Sequence, residues 1–127
     1  MKEIISTNKA PGAIGPYNQA TALGNLVFTS GQIPLVTETM EIVEGGIKEQ
    51  TKLVMDNLKA VLEEAGTSYE NVLKTTCYLS DMDNFVAFNE VYAQYFSAET
   101  APSRATVAVK TLPKNVLVEV DAIAFKN

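Results

Sequence analysis

The run "NVLVEVDAIAF", residues 115–125, constrains this chain more than any other stretch. It is almost continuously apolar and rich in β-branched residues, yet far too short to cross a membrane. A strand sends alternate side chains to opposite faces, so Glu119 and Asp121 fall on the same face as Leu117 and Ile123. Val116, Val118 and Val120 occupy the other. Both faces of such a strand call for cover, and the rest of the chain has to supply it.

Two helices are predicted. From Ile47 to Ala65, apolar residues recur at Ile47, Val54, Leu58, Val61, Leu62 and Ala65, with Thr51 filling the missing step. Gly45 and Gly46 precede this segment, and Gly66 stands where a left-handed cap would end it. The second helix is read over Asn84–Phe96, with Phe85, Phe88, Tyr92, Tyr95 and Phe96 on one broad face and Asp81 and Asp83 as candidate N-caps. That aromatic face is read as core packing against a sheet. Strands are expected at Glu3–Ile5, Asn18–Ala22, Leu26–Thr29, Leu73–Leu79, Ala105–Val109 and Val116–Phe125. Gly24-Asn25 marks a tight hairpin and Pro113 a turn before the last strand.

This order predicts an α+β fold, a mixed sheet with both helices on one face, in one domain spanning 1–127. Two helices cannot cover both sheet faces. An uncovered face carrying Val116, Val118 and Val120, or their neighbours, needs another partner, and self-association is the economical answer.

The chain has no histidine, which excludes Ser-His-Asp, Cys-His and histidine-ligated metal chemistry. Its net charge of −5 argues against broad binding to nucleic acid phosphates. The single cysteine, Cys77, lies in an apolar strand and reads as a buried structural thiol. The start, "MKEIISTNKAPG", lacks the apolar core of a secretion signal, so a cytoplasmic location is expected. Any chemistry must come from carboxylates, arginine, lysine, tyrosine, backbone groups and water.

Three stretches carry residues of that kind. In "APSRATVAV", Pro102 blocks a helix and Ala105, Val107 and Val109 alternate with Arg104, Thr106 and Ala108. If this strand pairs antiparallel with the last one through an even loop, Glu119 shares a face with Arg104. A structural ion pair and a functional pair both fit that spacing. "APGAIGPYNQA" is a constrained loop able to fix Tyr17, and "TSGQIP" places Ser30 and Gly31 at a strand end, where glycine marks a bulge or a close approach. Asn89 interrupts the aromatic helix face as a solvent-exposed residue or a polar group at its rim.

Taken in order, "APGAIGPYNQA", "SGQIP", "NVLKTTCYLSDMDNF…FNEVYAQYF", "APSRATVAV" and "VLVEVDAIA" resemble the RidA (YjgF/YER057c/UK114) family across nearly the whole chain. The resemblance implies a chorismate-mutase-like fold, a homotrimer, and sites in the clefts between subunits. It implies hydrolysis of 2-imino acids, such as 2-iminopropanoate and 2-iminobutanoate, to 2-keto acids and ammonia, without cofactor or metal. The role that goes with this activity is control of metabolite damage. Residue by residue, Arg104 matches the family's carboxylate-binding arginine and Glu119 its acid near the imine carbon. Tyr17, Ser30, Gly31 and Asn89 match pocket-lining positions, and the backbone N–H of Thr106 would be a second donor to the carboxylate. Many relatives carry cysteine where this chain has Thr106, so thiol chemistry is absent from that position. Two alternatives stand beside the deaminase: a non-catalytic module that binds small carboxylates, and a ribonuclease or translation inhibitor. The acidic net charge and missing histidine disfavour the last, and neither nucleic acid nor membrane is expected as a partner.

Overall fold

A computed structural model describes residues 1–127. Six strands and two helices follow one another as β1 (Glu3–Ile5), β2 (Ala20–Leu23), β3 (Leu26–Thr29), α1 (Ile47–Glu64), β4 (Val72–Leu79), α2 (Phe85–Tyr92), β5 (Ser103–Ala108) and β6 (Val118–Phe125). The strands form one mixed sheet in the order β1-β2-β3-β6-β4-β5. β1, β2 and β3 make an antiparallel meander, with Leu23 paired to Leu26 across the Gly24-Asn25 turn. β6 lies between β3 and β4, antiparallel to both. β4 reaches β5 through α2, and these two strands are parallel, as a helical crossover allows.

The pairing expected for the last two strands is not the one found. β5 does not touch β6; it is the edge strand beside β4. The segment between them, with its 3₁₀ turn at Pro113–Asn115, carries the chain past the end of β4 rather than reversing it as a hairpin. The register fixes the consequence. Thr75 pairs with both Arg104 and Ala122, whereas Tyr78 pairs with both Val107 and Glu119. Paired residues share a face, and Thr75 and Tyr78 are an odd number of steps apart. Arg104 and Glu119 therefore lie on opposite faces of the sheet.

Both helices pack on the face that carries Thr75, Cys77 and Leu79. α1 buries Val54, Met55, Leu58, Val61 and Leu62 completely against Val118, Val120, Ala122 and Ala124 of β6, which are themselves buried. Each such side chain contributes on the order of 1.5–3 kcal/mol of transfer free energy. α1 ends at Gly66, φ +84°, where Thr67 N–H donates to Leu62 O and Gly66 N–H to Glu63 O, closing the last turn. α2 is shorter than its periodicity suggested: it is helical only to Tyr92, with 3₁₀ turns at Met82–Asn84 and Ala93–Tyr95 on either side. Asp81 Oδ1 accepts from Asp83 N–H at 2.8 Å and caps the first of these turns. Phe88 is wholly buried, as the core reading of the aromatic face required.

Val116, Val118 and Val120, one candidate set for the uncovered face, sit in the core instead. The face left open carries their neighbours. Phe28 pairs with Ile123 and Leu26 with Phe125, and Ile4, Leu26, Phe28 and Val107 are all exposed large apolar side chains.

Candidate functional site

Glu119 stands on the open face in the middle of the sheet, on the floor of a cleft of about 370 Å³. Tyr17, Ser30, Gly31 and Pro113 line the same cleft, so four of the expected site residues converge here. The convergence has a local cause in each segment. β3 pairs with β6 at Phe28–Ile123 and resumes at Gln32–Val120, where each N–H donates to the other's carbonyl. The chain takes four steps on the first side and three on the second, so an extra residue bulges out at Ser30 and Gly31. Gly31 lies so close to the Glu119 carboxyl that a Cβ built on it would collide with Oε2 and Cδ. A side chain here would have to displace the Glu119 carboxyl, the close approach expected of a glycine at a strand end.

Tyr17 is held by the loop it belongs to. Gln19 is buried, and its amide reaches back to four backbone groups. Thr7 N–H donates to its Oε1 at 2.6 Å, and its Nε2 donates to the carbonyls of Thr7, Ala10 and Pro11 at 3.1, 3.3 and 2.8 Å. A Pro- and Gly-containing loop is thereby pinned to the start of β2. Ser30 Oγ donates to Asn18 O and ties the bulge to the same loop. Tyr17 itself remains about half exposed at the mouth of the cleft.

The carboxyl of Glu119 takes up its proton more readily than an ordinary glutamate, first because it is partly buried and then because Asp121 faces the same way. Asp121 is raised as well, chiefly by burial, although a hydrogen bond from Tyr78 and the charge of Lys74 pull in the other direction. The ion pairs of the chain, Lys48–Glu90, Lys52–Asp56 and Lys126–Glu3, all leave Glu119 without a cation. A carboxyl whose proton affinity is raised in a cleft is suited to giving and taking protons.

Arg104 lies elsewhere, on the helix-covered face of the edge strand. Its Nη1 donates to Asn89 Oδ1 at 2.7 Å, and its Cζ stands 4.8 Å from the Tyr92 ring centroid and 5.4 Å from that of Phe85. Asn89 is thus a polar group at the rim of the aromatic face. Asn89, Tyr92, Phe96, Pro102 and Arg104 border a second cleft, of about 560 Å³. No carboxylate neutralises the guanidinium within the chain. Thr106 follows on the same face, with its hydroxyl buried and without a hydrogen-bond partner. Cys77, paired with Thr106, is fully buried and burial pushes its thiol up to about 11, the behaviour of a structural cysteine.

The expected site residues therefore form two groups: Tyr17, Ser30, Gly31 and Glu119 in one cleft, and Arg104 and Asn89 in another, with Thr106 two residues along the same strand face but not lining it. The rings of Phe85 and Tyr92, read from sequence as core packing, lie beneath the guanidinium instead of serving the core alone. Their spacing from Asn89 on one helix, four and three residues, was the available signal.

The fold and these clefts define an α+β domain of the Rid class. The family model described as Endoribonuclease L-PSP matches residues 7–126, and the chain belongs to that family. A RutC family protein of Pyrococcus abyssi is 56% identical over 98% of this chain and 98% of its own length. TdcF of Escherichia coli K12, named for reactive-intermediate deamination, is 45% identical over 100% of this chain and 99% of its own. The crystal structure of E. coli TdcF with bound serine superposes with a TM-score of 0.92 at 44% identity, covering 98% of this chain and 99% of that one. RidA of the Antarctic bacterium Psychrobacter sp. PAMC 21119 also has a TM-score of 0.92, at 43% identity over 97% and 98% of the two chains. The expected family and α+β architecture are both found. No helix of the chain is long and apolar enough to cross a membrane.

Proposed function

We propose that this protein hydrolyses small 2-imino acids to 2-keto acids and ammonia, at sites completed between copies of the chain in a homotrimer. The observation that carries the reading is the half-buried Glu119 carboxyl, raised in proton affinity, without an ion-pair partner, and lying against Gly31, where no side chain obstructs it. Arg104 of one copy holds the substrate carboxylate through its planar fork, with the Thr106 backbone N–H as second donor. Glu119 of another copy faces the imine carbon beside Tyr17 and Ser30. Water adds across the C=N bond, the carbinolamine forms, and the C–N bond breaks to release ammonia and the keto acid. Glu119 orients the water and moves the protons between it and the departing nitrogen. An imine is already electrophilic, so positioning supplies much of the acceleration. The opposite-face placement of Arg104 and Glu119 in one chain supports a site shared between two, and the open apolar sheet face supplies a surface for association. The serine bound in the TdcF crystal is consistent with a small carboxylate ligand.

The test couples a threonine dehydratase to this protein and follows loss of the imine with semicarbazide as trap. Acceleration over buffer supports the deaminase; keto-acid binding without acceleration leaves a carboxylate-binding module instead. Shared sites are tested by mixing. Inactive Arg104→Ala and Glu119→Gln proteins, dissociated and reassembled together at equal amounts, should regain activity in about a quarter of their sites. Mixtures as inactive as their components count against the shared site.

A further inference from the structure

We infer that Tyr92, anchored by the buried hydroxyl of Thr75, is a positioning residue that holds Arg104 in the orientation in which it meets the substrate carboxylate. The inference rests on the reading of Arg104 given under Proposed function. Thr75 lies wholly buried in the centre of β4, and its Oγ1 meets the Tyr92 hydroxyl at 2.8 Å. A buried hydroxyl needs a partner, so this bond fixes both the depth and the tilt of the Tyr92 ring. The same Thr75 is the register partner of Arg104 on β5. The strand that sets the arginine's place thus also sets its platform.

The guanidinium is constrained in two directions. The Tyr92 ring lies 4.8 Å from Cζ and limits movement across the plane, while Asn89, three residues earlier on α2, takes one N–H in the plane at 2.7 Å. Arginine has five such donors, and the others remain for an anion. β5 is an exposed edge strand, where a long side chain would otherwise sample many rotamers. Ordering it beforehand removes that entropy from the binding step.

Arg104 is the only arginine of the chain, so the ¹⁵N Nε–Hε resonance of the folded protein reports this one side chain, and its disappearance in Arg104→Lys confirms the assignment. In Tyr92→Leu the resonance should show increased fast motion, and KM for the imine and Kd for 2-ketobutyrate should rise about tenfold at nearly unchanged kcat. Thr75→Val and Tyr92→Phe should each raise KM about threefold, and the double variant no more than either alone, because both remove one bond. These two keep the ring or the side-chain volume, and they carry the test should Tyr92→Leu fail to fold. A purely structural role would instead lower the active fraction, and hence kcat, at unchanged KM. That pattern, or an unchanged Arg104 resonance in the variants, overturns the inference. Arg104→Lys run alongside separates the two ideas: undiminished keto-acid binding there overturns the carboxylate reading. Weakened binding there, with Tyr92 and Thr75 variants unaffected, overturns the brace alone.

Discussion

β6 presents two unlike surfaces built from alternate residues of one strand. On the covered side, Val118, Val120, Ala122 and Ala124 are each 2% exposed or less and belong to the apolar core. On the open side, Glu119 and Asp121 crowd each other between exposed Phe28 and Val107, and both resist ionisation. The first surface stabilises the fold by burial without charge. The second destabilises the isolated chain twice over, by wetting apolar area and by confining two acids. The proposed chemistry is assigned to the surface that lacks the stabilising contacts, the usual trade at a working site.

Four substitutions bear on that contrast, the largest expected effect first. Phe28→Lys places a cation on the open face at its pairing with Ile123. It should leave the chain folded but abolish assembly, so that the protein sediments at the mass of one chain and the trapped-imine assay falls to background. A trimeric, active variant would show that the open face is not the contact surface.

Glu119→Gln keeps size and much of the hydrogen-bonding capacity and removes the proposed proton carrier. The hydrolysis rate should fall about 10²-fold or more, with keto-acid binding retained in calorimetric titration. Wild-type turnover would end its assignment as acid and base. The same variant sharpens the stability argument. Glu119 binds its proton at higher pH when folded than when unfolded, so the stabilisation linked to that proton is complete below the unfolded carboxylate range. It is lost as pH rises through the raised value. Glu119→Gln should therefore melt higher than wild type at pH 7, and the difference should close as the pH is lowered toward ~4.

Arg104→Lys preserves charge but not the fork. Binding of 2-ketobutyrate should weaken by roughly 1.5–3 kcal/mol, the scale of a hydrogen bond to a charged group, measured on protein shown to remain assembled. Undiminished affinity would return the arginine to a structural part. Cys77→Ala, on the covered side, should cost only ~1 kcal/mol in denaturant titration and leave turnover per folded chain largely intact. Inactivation by stoichiometric thiol labelling of folded protein would contradict that.

Much of the architecture was legible before the structure. Hydrophobic period and glycine placement located both helices, the hairpin at Gly24-Asn25 and the Gly31 bulge, because each is a local property of the backbone. The partner of β5 was not. Adjacency along the chain suggested β6, but pairing is a long-range choice made by the α2 crossover, and alternation of side chains cannot name a neighbour. With the wrong neighbour, Arg104 and Glu119 seemed to share a face. The platform of Arg104 was hidden for a different reason. Aromatic residues at helical spacing look the same whether they fill a core, as Phe88 does, or lie under a guanidinium, as Tyr92 does.

Gly31 and Glu119, distant in sequence, claim the same volume. A methyl group at position 31 would push the Glu119 carboxyl out of its present place, while the arginine, the loop and the fold could remain as they are. Position 31 therefore helps set where the acid can stand: the empty space beside its backbone is the space the Glu119 carboxyl occupies.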